Sequence, residues 1–145
     1  MDADMNVTAS LVQSSLRLLK AGTGEPTKPV GLLGYAAGAS WALWLSVRRP
    51  EECAAVATFY GTQSISFDDA TAAYLVHFAE ADDDVSDEDS ALMGLNMQLA
   101  RRDFRVEIHA GVSSGFAEPD HPSFDGAAEA VAWRQTLEFF ATHLR

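Results

Sequence analysis

Residues Gly34-Tyr35-Ala36-Ala37-Gly38 have the spacing of a nucleophile elbow, the sharp strand-to-helix turn G-x-S/C-x-G that lifts an attacking oxygen or sulfur above the end of a sheet. Acyl transfer at such a turn needs that nucleophile, a base within hydrogen-bond reach and donors for the oxyanion. The central position here is Ala36, and a methyl group cannot form an acyl intermediate. The frame of a catalytic site is present in the sequence without its reactive atom.

The other residues that could carry chemistry read as structural. Ser40 lies one turn into the helix that follows the elbow and should pack or face solvent. Ser113 and Ser114 have no base beside them in sequence and read as loop serines filling a polar gap. Among the histidines, His77 sits inside an apolar run and should be a hydrogen-bonded core residue. His109 ends a strand short of the elbow, and His121 lies in a Pro- and Asp-containing loop. His143 is near the C-terminus, where a cation suits the helix dipole. Cys53 follows Glu51 and Glu52, the wrong surroundings for a thiolate, and should be a small residue at a strand entrance. The run Glu80, Asp82, Asp83, Asp84, Asp87, Glu88 and Asp89 lacks the spaced oxygens and central glycine of a calcium loop. It reads as a solvated loop entering a helix, where negative charge is favourable. No metal or cofactor is expected.

These residues are positioned by an alternation of elements. Val7 to Lys20 reads as a helix stopped by Ala21-Gly22-Thr23-Gly24-Glu25-Pro26. Four apolar runs, Val30 to Gly34, Ala55 to Tyr60, Tyr74 to Ala79 and Phe104 to His109, read as strands. Helices are expected over Ser40 to Arg48, Ser86 to Arg102 and Ala127 to Leu144. Ser86 with Asp89 resembles a capping box, and Ala130, Trp133, Leu137, Phe140 and Leu144 should turn toward the sheet. Continuously apolar strands alternating with helices predict an α/β fold with a parallel sheet covered on both faces. The weak link is the crossover between Tyr60 and Tyr74, which contains no clear helix.

The 145 residues suit one domain spanning 1–145, with a hydrophobic share of 48% and no repeats. Ten Lys and Arg against 21 Asp and Glu leave a formal charge of −11, which repels phosphate backbones and anionic lipid. Nucleic acid and membrane are therefore not expected as partners. No apolar stretch is long enough for a bilayer, and the acidic start Met1-Asp2-Ala3-Asp4 is unlike a secretory signal. A cytoplasmic location is expected.

From about Val30 onward the chain resembles the C-terminal part of the dienelactone hydrolase family, a branch of the α/β-hydrolase fold. Val30-Gly31-Leu32-Leu33-Gly34-Tyr35-Ala36-Ala37-Gly38-Ala39 is similar to the family's V-G-x-x-G-Y-C-x-G-G strand and elbow. Phe59-Tyr60-Gly61, then Gly115-Phe116-Ala117, Pro119-Asp120 and the helix through Trp133, Thr136, Leu137 and Phe139 extend the likeness. The resemblance implies a truncated α/β-hydrolase-like parallel sheet of about four strands. It also implies that Ala36 occupies the position of the nucleophilic cysteine and Asp82, in Phe78-Ala79-Glu80-Ala81-Asp82-Asp83-Asp84-Val85, that of the triad acid. Ser114, in Ser113-Ser114-Gly115-Phe116, takes the place of the histidine. The arginines that hold the family's substrate carboxylate have no secure counterpart, so substrate class does not transfer.

The family's proteins begin with further strands, which would leave Val30 to Gly34 at an apolar sheet edge here. Such edges are rarely left open. The expected cover is a second copy, giving a homodimer, or a complementary chain bearing the missing strands. The functional expectation is a catalytically inactive member acting as a binding or interaction subunit, with a small-molecule ligand left open. The alternative is a hydrolase of small esters or lactones that uses relocated residues or a partner chain. A damaged reading frame is a third possibility, against which the good core patterning through Arg145 argues.

Overall fold

The computed structural model describes residues 3–145. It contains α1 (Ala3–Gly22), β1 (Val30–Tyr35), α2 (Ala37–Arg48), β2 (Cys53–Phe59), β3 (Ala73–Ala81), α3 (Asp87–Leu99), β4 (Phe104–Ser113) and α4 (Gly126–His143), with one 3-10 turn at Pro50–Glu52. The four strands form one sheet in the order β1-β2-β3-β4, parallel throughout. This is the expected α/β architecture, and β1 and β4 are its two edges.

The period of two along each strand separates the faces. Val56, Tyr74, Val76 and Phe78 pack with Leu43 of α2 and Met93 and Met97 of α3 into the larger core. Phe59, Ala79, Phe116 and Ala132 of α4 form the core of the opposite face. Each fully buried side chain of this size contributes about 1.5–3 kcal/mol. Helix α1 lies beside α2. Its Leu16 is buried with Leu45 and Cys53, and Lys20 pairs with Glu52 at 3.6 Å. Burial, then the neighbouring Glu52, pushes the Cys53 thiol up to about 12, so it is inert as the sequence suggested.

Helix α3 opens as anticipated, with the Ser86 hydroxyl accepting the Asp89 N–H at 3.0 Å. It stops at Leu99 rather than Arg102, because Arg101 turns into the left-handed region with φ 56°. The crossover between β2 and β3 contains no helix, yet the strands are parallel. It is anchored by buried Phe67, Ala70 and Ala72, and the Arg102 guanidinium donates to the Ala70 carbonyl.

One face was misread. In α4 the residues turned inward are Ala132 and Thr136, with Phe140 and Leu144 over Gly31, whereas Trp133 is 39% and Leu137 51% exposed. The reason is the neighbouring surface. Phe59 and His77 fill the space beneath the middle of α4, leaving room only for the small Ala132 and for a hydroxyl that can bond His77.

Candidate functional site

The parallel sheet brings the C-terminal ends of its strands to one rim, where open α/β sheets bind their ligands. Ala36 follows β1 there, Tyr60 follows β2, the acidic loop follows β3 and Ser114 follows β4. The elbow is fully formed. Ala36 has φ 51° and ψ −121°, a conformation that costs an ordinary residue about 1–3 kcal/mol, and its N–H donates to the Phe59 carbonyl at 3.0 Å. Gly34 and Gly61 make the turn possible. A Cβ on Gly34 would strike the Gly38 carbonyl and the Ala39 backbone, and one on Gly61 would strike the Ala36 carbonyl and the Ala39 Cβ. Gly38 has open space beside it, so the second glycine of the elbow pattern is not sterically required.

Because glycine relaxes in that region of backbone space, Ala36→Gly should stabilise the fold. The expected gain is about 1 kcal/mol, read as a rise in the denaturant midpoint at unchanged m. A loss of stability would mean that the strain is smaller than the dihedrals imply.

Ala36 lines a cavity of about 320 Å³ with Ala37, Ser40, Tyr60, Gly61, Thr62 and Asp84. No side chain caps the start of α2; of its first-turn amides Ala39's donates to the Ala36 carbonyl at 3.0 Å, and Ala37 at its first position lines this mouth. Ser40 donates to the Thr62 carbonyl at 2.6 Å and ties the helix to the β2 loop, the packing role foreseen for it. The Tyr60 hydroxyl donates to Glu118 at 2.6 Å, and burial followed by this bond pushes the phenol well above its usual range. Tyr35, stacked on Phe59 at 4.6 Å, is raised by burial and then by Glu129 and Glu118.

The three positions singled out in sequence are not joined as a triad. Ser114 donates from its hydroxyl to Asp84 Oδ2 at 2.6 Å, not to Asp82. Asp82 accepts the N–H groups of Asp84 and Val85 on Oδ1, both at 3.1 Å, which closes its own loop. Its Oδ2 is buried with no partner. Burial holds the Asp82 carboxyl above the usual carboxylate range, while the loop amides pull the other way. Asp82 opens onto a separate cavity of about 350 Å³ with Glu80, Asp83, Asp87 and Ile108. Asp84, not Asp82, is the acid that shares a cavity with Ala36.

The imidazoles are committed elsewhere. Thr136 donates to the Ala132 carbonyl at 2.8 Å and so accepts from His77 Nε2 at 3.0 Å. His77 Nδ1 must then accept from His109 Nε2, also at 3.0 Å, a tautomer assignment made from the network. Both rings are buried, and His77 stacks on Phe59 at 4.4 Å. Burial, reinforced by His109 and Arg105, drives His77 down to about 3, and burial also lowers His109 against an opposing pull from Glu107. His121 is exposed over Gly115 and accepts the Ser123 N–H at 3.0 Å. His143 lies 3.9 Å from Asp103 at the end of α4. Among the described residues no serine hydroxyl hydrogen-bonds an imidazole.

Sequence reasoning overlooked Asp84, Glu118 and the His77–His109 pair. Three successive aspartates gave no means of choosing among themselves, and Glu118 is 58 residues from its partner Tyr60. His77 and His109 sit two register positions apart, His77 opposite Glu107 and His109 opposite Ala79, so no sequence pattern paired them. Among the described residues no group of His, Cys, Asp and Glu is arranged to hold a metal ion. Among them, too, no helix is long and apolar enough to cross a membrane.

A parallel sheet with a strained elbow at its carboxyl rim and a helix behind the elbow defines an α/β-hydrolase-like protein. More narrowly, the chain belongs to the dienelactone hydrolase family, which it matches over residues 2–144. It is 24% identical over 145 residues to the Aquifex aeolicus protein named "Putative carboxymethylenebutenolidase", covering 97% of this chain and 63% of that one. It is also 24% identical to "Protein usf" of Aquifex pyrophilus, covering 97% of this chain and 62% of that one. The fold superposes on the solved structure "m3DLH" with a TM-score of 0.85 at 18% identity, over 98% of this chain and 63% of that chain. A dienelactone hydrolase-like promiscuous phosphotriesterase, P91, from metagenomic libraries gives 0.82 at 21% identity, over 92% and 60%. The chain thus spans somewhat over three-fifths of the length of the curated relatives it matches.

Proposed function

We propose that this chain is a dienelactone-hydrolase-family protein without hydrolase chemistry, retaining the family's elbow as a binding scaffold. The observation that carries this reading is the pair of occupied positions. Ala36 stands at the strained apex, and Ser114, at the expected base position, is bound to Asp84 at 2.6 Å. A methyl group supplies no nucleophile, and a serine hydroxyl donating to a carboxylate supplies no general base. What remains is a hollow with hydroxyl, carboxylate and amide groups, suited to holding a small polar molecule without bond cleavage.

The alternative, a hydrolase with relocated residues, needs a serine beside an imidazole, and His77 and His109 are bonded to each other and to Thr136. The two readings separate on purified protein incubated with an activated aryl ester. Hydrolysis at the buffer rate is the expected result. Turnover well above buffer that disappears in Asp82→Ala would replace the binding reading with the catalytic one.

A further inference from the structure

The charges of the fold are sorted by end. Between Lys28 and Arg48, between Arg49 and Arg101, and between Arg105 and Arg134 the sequence contains no Lys or Arg, and these three stretches include every loop at the carboxyl rim of the sheet. Cations gather instead near the starts of β1, β2 and β4, at the far end, where Lys28 pairs with Glu25 at 3.5 Å and Arg105 with Glu107 of β4 at 2.6 Å. The rim keeps acids. Asp82, Asp83 and Asp84 follow β3 there, and Glu118 and Asp120 follow β4.

The elbow cavity opens into that field. Asp84 lines it and gives Oδ2 to the Ser114 hydroxyl at 2.6 Å, while among the described residues no donor reaches its Oδ1. Glu118 lies one hydrogen bond further in, behind the Tyr60 hydroxyl. The phenol next to the apex registers the same field, since Tyr35 is raised by burial and then by Glu129 and Glu118. Against these acids stands the start of α2, equivalent to about half a positive charge that fades within one turn. A full carboxylate in the cavity with a second behind it outweighs that half charge. Ala36, Ala37, Tyr60 and Gly61 supply low-dielectric walls, and a cleft with charge of one sign between such walls concentrates ions of the other.

We propose that the elbow cavity takes a small organic cation, an ammonium or amidinium group seated against Asp84 with its apolar part over the Ala36 methyl. The inference rests on the reading of the elbow as a binding scaffold and adds the sign of the ligand's charge. The cavity of about 320 Å³ stands at the small end of ligand sites, which run from about 300 to 1,000 Å³. A hard metal ion takes about six or more oxygens, and among the residues lining this cavity Asp84 is the one carboxylate. An organic cation needs one such acceptor and an apolar contact, and both are present.

Benzamidinium, benzamide and benzoate share size and shape and differ in charge. Their binding is read from amide shifts of the isotope-labelled chain, titrated up to about 10 mM. The expected result is that benzamidinium moves the Ala37 and Gly61 amides and binds at least tenfold more tightly than benzamide, with benzoate moving neither. Added salt should weaken benzamidinium and leave benzamide unchanged. Asp84→Asn, which keeps an acceptor for Ser114, should weaken benzamidinium at least fivefold, whereas Glu51→Gln, the same change of net charge at the far end, should leave it unmoved. Should Asp84→Asn fail to fold, the order of the three probes and the place of their shifts on the unaltered protein decide instead. Equal or tighter binding of benzamide or benzoate, benzamidinium shifts confined to the separate cavity at Asp82, an unaffected Asp84→Asn, or no shift from any probe would overturn the proposal. Benzamide or benzoate seated at the elbow would do so while leaving the binding reading standing. Ester turnover would replace that reading and leave the probe order to decide the charge.

Discussion

The double variant Ala36→Cys with Ser114→His should hydrolyse an activated aryl ester at least about a hundredfold faster than the unaltered protein, the low end of what a positioned base contributes. The apex conformation at residue 36 is already in place, with φ 51° and ψ −121°, so a thiol placed there is raised above the rim. An imidazole at 114 has an acceptor at hand in Asp84, the carboxylate that takes the Ser114 hydroxyl and shares the cavity with Ala36. That bond would fix the orientation of the ring beside residue 36. Neither single variant should reach the same rate, since the members of such a set act as a unit. Equal, near-background rates in all four proteins, with folding intact, would show that the rim lacks more than its nucleophile and base.

The second large effect is on stability in acid. His77 is held neutral by burial, its folded value near 3 lying below the ordinary 6.5. Above pH 6.5 neither the folded nor the unfolded chain protonates it, and it contributes no pH dependence. Below that, the unfolded chain takes up a proton that the folded one refuses, so stability falls by up to about 1.4 kcal/mol per pH unit until the folded value is reached. His109, also lowered, adds to the slope in the same direction. Asp82 acts oppositely, because its raised carboxyl is protonated earlier in the folded state than in the unfolded one. Urea midpoints between pH 7 and pH 4 should fall steeply, and His77→Phe should flatten much of that fall while leaving the stack on Phe59. It should also cost about 1–3 kcal/mol at pH 7, because it leaves His109 and Thr136 without their partner. An unchanged slope in His77→Phe would assign the acid sensitivity to other groups.

Much of the architecture could be read from residue patterns, and the reasons are local. Val30 to Gly34 and Tyr74 to Ala79 are continuous apolar runs, the mark of strands covered on both faces, and Ser86 with Asp89 caps α3 as its spacing suggests. The elbow was visible in the spacing of Gly34 and Gly38, of which Gly34 is imposed by the Gly38 carbonyl and the Ala39 backbone. What escaped was set by tertiary neighbours. The inward face of α4 is chosen by Phe59 and His77, which admit Ala132 and Thr136 and turn Trp133 and Leu137 outward. The choice of Asp84 over Asp82 as Ser114's partner depends on the Asx-type closure of the acidic loop, in which Asp82 is already engaged through Oδ1. The helix-free crossover between β2 and β3 kept its parallel sense because Phe67, Ala70 and Ala72 are buried beneath it.

The charged pair on β4 has a bearing on how far assembly can proceed. Joining the apolar rim of one molecule to the opposite rim of the next would preserve strand direction and repeat without end, the geometry of a growing filament. Arg105 and Glu107, paired on β4, make that head-to-tail addition unfavourable, so the charged rim guards the chain against polymerisation.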